Sequence, residues 1–214
     1  MNWRAFFTMP KGENGVNYFS LTRSTSCIRM ALHPQDIVLF MIIVVTGNGK
    51  GKTTSALGTA LRSAGWGNRT AVVFFDKGGT HYGEQKSLDQ LKKKIDVFRF
   101  GLQRFDEKSR TFRFNNVPGD LKQAARGVEK VLELYGNNYF LIVCDELINA
   151  LNLGLVSEER VRGLVEKCPP ATHLMLTGRN VPDWLAEKAD LVSEVKEVKH
   201  YFRSGHDAIK GLDY

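Results

Sequence analysis

Cysteine is scarce in this chain: Cys27, Cys144 and Cys168 are the only three among 214 residues. Their spacing fits no zinc site, and an odd count fits no disulfide framework. Cys144 lies inside an apolar run, where a buried thiol is the ordinary reading. The pattern points to a reducing compartment, most simply the cytoplasm. Long hydrophobic runs are also missing. The longest, Ile37 to Val45, has nine residues, whereas a bilayer span needs about 20. The first 20 residues hold no compact apolar stretch followed by a small-residue cleavage site, which argues against a secretory signal. No membrane partner is therefore expected. There is no internal repeat and no low-complexity tract. Acidic residues are outnumbered by basic ones, 23 to 30, for a net charge of +7. Such a balance suits an anionic partner. No basic stripe interleaved with aromatics is present, so nucleic acid is not expected among the partners. The densest basic cluster, Lys92-Lys93-Lys94, follows a Leu-rich helical pattern and reads as its solvated end.

What is present is a regular alternation that begins near Ile37. Apolar strand-like runs lie at about 37–45, 70–75, 95–100, 139–144, 172–176 and 190–195. Helix-like segments fall between most of them, at about 52–64, 84–93, 119–135, 157–167 and 181–188. This order predicts an α/β fold with a mostly parallel sheet of about six strands and helices on both faces. Gly65 and Gly136 stand where helix C-caps belong; Pro118 and Pro182 stand near helix starts. Residues 1–40 lack a clear period. They are expected to be either a poorly ordered extension or the product of an over-called start codon, with Met41 as the second candidate start and 41–214 as a single domain. The segment from Leu102 to Val117 (LQRFDEKSRTFRFNNV) is the least regular part of that domain. Its two readings, a functional loop and a surface excursion, stay open.

The chemistry is carried by Thr46-Gly47-Asn48-Gly49-Lys50-Gly51-Lys52-Thr53-Thr54, which follows the run Ile42 to Val45 and precedes a helical pattern. Strand, glycine-rich turn and helix together are what a phosphate-binding loop requires. Glycines let backbone N–H groups converge on phosphate oxygens, and the helix N-terminus adds partial positive charge. Lys52 supplies a point charge for the terminal phosphates, and the Thr53 hydroxyl is placed to ligate Mg²⁺. The usual pattern has Gly five residues before the Gly of the Gly-Lys pair; here that position is Thr46. The bound nucleotide is expected to be ATP, held by Gly47 to Thr54. A second element supports this. The apolar run Tyr139 to Cys144 ends in Asp145-Glu146, and carboxylates just past such a strand hold Mg²⁺ or a metal-bound water.

Several further stretches resemble the P-loop corrinoid adenosyltransferases. They are Gly58-Thr-Ala-Leu-Arg62, Val72-Val-Phe-Phe-Asp-Lys-Gly78 with Gly83-Glu84, and Asp145-Glu-Leu-Ile-Asn-Ala-Leu151 with Gly154. Thr177-Gly-Arg179, Ala189-Asp-Leu-Val192 and Val198-Lys-His-Tyr-Phe202 follow, then Gly205, Ala208, Gly211 and Tyr214. The resemblance spans about 41–214 and implies a reaction. The 5′-deoxyadenosyl group of ATP passes to the cob(I) centre of a corrinoid, and triphosphate leaves. It further implies Lys52 and Glu146 as catalytic residues, Thr53, Glu146 and Asp145 at the metal, and Arg62 near the nucleotide. A flavoprotein-type reductant and a homodimer are expected from the resemblance alone. Family members carry aromatics after the residue matching Gly101, beside the corrin. Here Phe105, or Phe112 and Phe114, are the candidate substitutes. Lys199 and His200 are read as equally compatible with a structural strand end, and His81, His173 and His206 receive no role. Rival readings are a P-loop ATPase or kinase that releases ADP, a partitioning-type ATP switch and a nucleic-acid motor. The switch would need a lysine where Gly47 stands.

Overall fold

A computed structural model describes residues 40–79, 82–106, 111–113 and 115–214. The expectation about the first 40 residues lies, but for Phe40, outside them. The elements run β1 (Ile42–Thr46), α1 (Lys52–Gly65), β2 (Thr70–Phe75), α2 (Gly83–Gln90) and β3 (Ile95–Phe100). A short pair follows, β4 (Phe105–Asp106) and β5 (Thr111–Phe112), then α3 (Pro118–Leu134), β6 (Leu141–Asp145) and α4 (Leu147–Asn152). The chain closes with α5 (Glu158–Glu166), β7 (His173–Thr177), α6 (Asp183–Lys188) and β8 (Leu191–Glu194). Among the described residues, no helix is long and apolar enough to cross a membrane.

Six strands form one sheet in the order β3-β2-β6-β7-β1-β8, and every neighbouring pair is parallel. Side chains alternate across a strand, and the core divides accordingly. Ala71, Val73 and Phe75 of β2 join Ile142, Cys144, Leu174 and Leu176 on the face covered by α3, α4 and α5. Val72 and Phe74 join Val143 and Met175 on the face covered by Ala56, Ala60 and Ala64 of α1 and Leu88 of α2. All six residues of β2 are buried, as a central strand covered on both faces demands. Cys144 and Cys168 are buried free thiols; burial raises the Cys168 thiol to about 11.

The alternation predicted from sequence is present, with differences at the edges. β8 is exposed along its whole length, because as an edge strand it pairs only with β1. Gly65 is the last residue of α1, and it is Gly67, with φ of 82°, that takes the left-handed conformation after the helix. Gly136 falls in a 3₁₀ turn, and Asn138 reverses the chain there with φ of 54°. Pro118 occupies the first turn of α3, where its missing N–H costs nothing. The segment after Gly101 contains the antiparallel pair β4–β5, with Phe105 opposite Phe112; Phe114 lies outside the described residues. Arg104 anchors this segment. Its guanidinium pairs with Asp76 at 2.8 Å and with Asp120 at 3.7 Å, and Arg113 holds Asp120 through two bonds of 2.6 and 2.9 Å.

Candidate nucleotide site

Because all six strands run parallel, their carboxyl ends share one edge, the edge at which open α/β sheets bind ligands. The loop after β1 passes there into α1. Gly47 has φ of 97° and Gly51 of 120°, conformations that favour glycine. A Cβ on Gly49 would sit 2.7 Å from the Val195 carbonyl oxygen and 2.8 Å from that of Lys196, so the loop nests against the chain leaving β8. The Gly49 N–H donates to the Val195 carbonyl at 2.7 Å. Helix α1 starts at Lys52 with no side-chain cap and no acidic residue in its first turn, which leaves its positive end uncompensated. Lys52 is buried, and its ammonium donates to the carbonyls of Gly47 and Gly49 at 2.8 and 2.9 Å. Burial, and then the charge of Arg179, lower its pKa below the ordinary lysine value.

Asp145, at the end of β6, is fully buried. One carboxylate oxygen accepts from Thr177 at 2.7 Å; the other accepts from Thr53 at 3.1 Å and from Lys77 at 2.8 Å. Lys77 also donates to the Thr53 hydroxyl at 3.0 Å and lies 3.6 Å from a Glu84 oxygen. Burial works against its charge, yet Asp145, Glu146 and Glu84 outweigh it and raise its pKa. Glu146 follows in the left-handed conformation, φ 64°, a strained state for a non-glycine residue. Its N–H is held by Thr177 at 2.9 Å and its carboxylate accepts from Asn149. Burial, then the neighbouring Asp145 charge, raise the Glu146 pKa.

These groups border one cavity of about 740 Å³. Asn48, Gly49, Lys50, Gly51, Lys52, Thr53, Thr54 and Glu146 line it. Gly47 and Asp145 stand directly behind, bonded to Lys52 and Thr53. Arg62 is not brought there. It lies in the last turn of α1 and is exposed, and ten residues at about 1.5 Å rise carry it roughly 15 Å along the helix from Lys52. His200 does not end a strand: it caps the turn Tyr201–Ser204 and lines the cavity. His173 stacks edge-on against Phe140 at 4.5 Å, and His206 is exposed; His81 lies outside the described residues. Among the described residues, no cluster of three or more His, Cys, Asp or Glu could hold a metal on its own.

The sequence reading assigned no role to Lys77, Thr177 or Arg179, although all three sit in stretches that carried the resemblance. A lysine two residues past the apolar run Ala71 to Phe75 was the available signal for Lys77. The far end of the chain also lines the cavity, through Glu197 and Gly211 to Tyr214, with Lys50 paired to Asp213.

The sequence matches the family model described as ATP:corrinoid adenosyltransferase BtuR/CobO/CobP over residues 40–214. A corrinoid adenosyltransferase of Sinorhizobium sp. is 36% identical over 176 residues, which cover 81% of this chain and 80% of that protein. The corrinoid adenosyltransferase of Pseudomonas aeruginosa is 30% identical, covering 81% and 83%. That of Escherichia coli K12 is 32% identical, covering 81% and 85%. On this evidence the chain, with its phosphate loop and buried carboxylate at one sheet edge, belongs to the ATP:corrinoid adenosyltransferase family.

Proposed function

We propose that the protein transfers the 5′-deoxyadenosyl group of ATP to the cob(I) centre of a corrinoid and releases triphosphate, a step of adenosylcobalamin formation. The observation that carries this reading is the convergence of Lys52, Thr53 and the Asp145-Glu146 pair at the mouth of the phosphate loop, in a chain of this family. The reduced corrinoid substrate brings its own nucleophile. Its cobalt electron pair attacks C5′, the Co–C bond forms, and the C5′–O bond breaks with its electrons leaving on triphosphate. No proton has to move, so the protein's tasks are alignment and charge stabilisation. Lys52, the loop amides and the open end of α1 concentrate positive charge where the triphosphate forms. Arg179 adds a cation to the same wall.

Thr53, Asp145 and Glu146 would hold Mg²⁺. They are an all-oxygen set with few carboxylates, which suits a metal that completes its shell with phosphate and water. A positive group, the Lys77 ammonium, already lies within hydrogen-bonding distance of two of them. When bound, Mg²⁺ neutralises phosphate charge. The segment 102–117, fastened by Arg104 beside the end of β2, is the part of the chain we assign to the corrinoid. A flavoprotein-type reductant that generates cob(I), a homodimeric assembly and a cytoplasmic setting complete the proposal.

The test is anaerobic incubation with ATP, Mg²⁺ and chemically reduced cob(I)alamin. The expected products are light-sensitive adenosylcobalamin and triphosphate, with Lys52→Ala slower by at least about 100-fold, the scale of removing one charge-stabilising group. ADP or phosphate without a cobalt–carbon product would overturn the reading in favour of an ATPase or kinase. If cobalamin is inert, a corrinoid precursor under the same conditions decides between substrate preference and a different reaction.

A further inference from the structure

We infer that Lys77 is a built-in counter-cation that fills the divalent-cation position of the nucleotide-free protein, so that the metal enters only together with nucleotide. The inference rests on the nucleotide-and-metal part of the reading above and not on the corrinoid.

Three observations carry it. The Lys77 ammonium lies 2.8 Å from Asp145 Oδ2 and 3.0 Å from Thr53 Oγ1, the same two oxygens that a Mg²⁺ ion would need. It is enclosed: the side chain is 13% exposed, and the rings of Phe74 and Tyr82 lie 5.3 and 5.6 Å from the nitrogen, within the range of cation–π attraction. Its other neighbour is again a carboxylate, Glu84 at 3.6 Å. A divalent ion bound about 2.1 Å from Asp145 and Thr53 would lie within van der Waals distance of this nitrogen, where two cations in a partly desolvated site repel strongly. Metal and ammonium therefore exclude each other at these oxygens. Among the described residues Lys77 is the cation in contact with the buried Asp145 carboxylate, and leaving that charge without it is costly. With nucleotide present, the phosphates offer new oxygens to the metal and a new anionic partner to the displaced ammonium. Lys77 thus acts as a positioning residue: it keeps the carboxylates paired until the nucleotide arrives and blocks the metal from settling without it.

The test is a Mn²⁺ titration of the full-length, nucleotide-free protein, with free Mn²⁺ read by electron paramagnetic resonance. Lys77→Met is expected to bind one Mn²⁺ at least tenfold more tightly than the parent. Lys77→Arg, which retains the charge, should bind like the parent, and Lys77→Met/Asp145→Asn should lose the gain. If circular dichroism shows Lys77→Met unfolded, Lys77→Gln takes its place. Equal Mn²⁺ affinity in the parent and the neutral variant overturns the inference, as does a gained site that survives loss of Asp145. Tight binding by the unaltered, nucleotide-free protein overturns it without any variant. Because no corrinoid enters the assay, its outcome is independent of whether adenosyl transfer is detected.

Discussion

Replacing Asp145 by Asn probes the centre of the site through stability alone. The carboxylate is fully buried and accepts from Thr177, Thr53 and Lys77 at 2.7, 3.1 and 2.8 Å. Asn keeps the shape but removes the charge, and its NH₂ group must face one of those donors. Removing one partner of a buried ion pair costs about 3–5 kcal/mol. Lys77 keeps Glu84 at 3.6 Å and retains 13% exposure, so the lower end, about 3 kcal/mol, applies. For a chain of this size each kcal/mol moves the melting temperature by about 2–4 °C, so the variant should melt about 6–12 °C lower. The assay is scanning calorimetry of nucleotide-free protein in the presence of a chelator. Lys77→Met/Asp145→Asn removes both charges and should recover at least about half of the loss, since contacting partners are not additive. The reasoning fails if Asp145→Asn melts within about 1 °C of the parent, or if the double variant is destabilised by the sum of the single effects.

Gly49→Ala should weaken ATP binding by about tenfold or more, about 1.4 kcal/mol, because its Cβ meets the backbone of Val195 and Lys196 at 2.7–2.8 Å; calorimetric titration with unaltered affinity would show that the loop has room to adapt. Stability should also fall in acid through Asp120. Hydrogen bonds from Arg113, aided by the Val117 N–H and the charge of Arg104, hold its carboxyl below the ordinary range. A depressed carboxylate contributes stability that is complete above its unfolded value near 4 and is lost as the pH drops through the lower folded value. Melting temperatures measured between about pH 6 and pH 3 should therefore decline less steeply in Asp120→Asn than in the parent, and parallel curves would remove Asp120 from the account.

The phosphate loop was legible because its parts are neighbours in sequence: strand, glycine turn and helix follow one another from Ile42 to Gly65. The alternation of elements was legible for a related reason, since burial on both faces writes continuous apolar runs into parallel strands. Helix α4 was not: only Glu146 separates it from β6, so its apolar residues continue the run of the strand and no turn residue marks its start. The end of α1 was read to within one residue, but the left-handed glycine was misplaced by two, since composition marks a glycine but not which of Gly65 and Gly67 adopts positive φ. Arg62 was carried to the site by resemblance, and the rise of α1 carries it away within this chain. The partners of Asp145 lie 92, 68 and 32 residues from it in sequence. Sequence alone determined that a carboxylate follows a buried strand and that a lysine follows another. Only the strand order decided that they meet. Placing β6 directly between β2 and β7 sets Lys77, Asp145 and Thr177 side by side at the carboxyl edge, and that adjacency comes from crossover connections whose destinations no local pattern records.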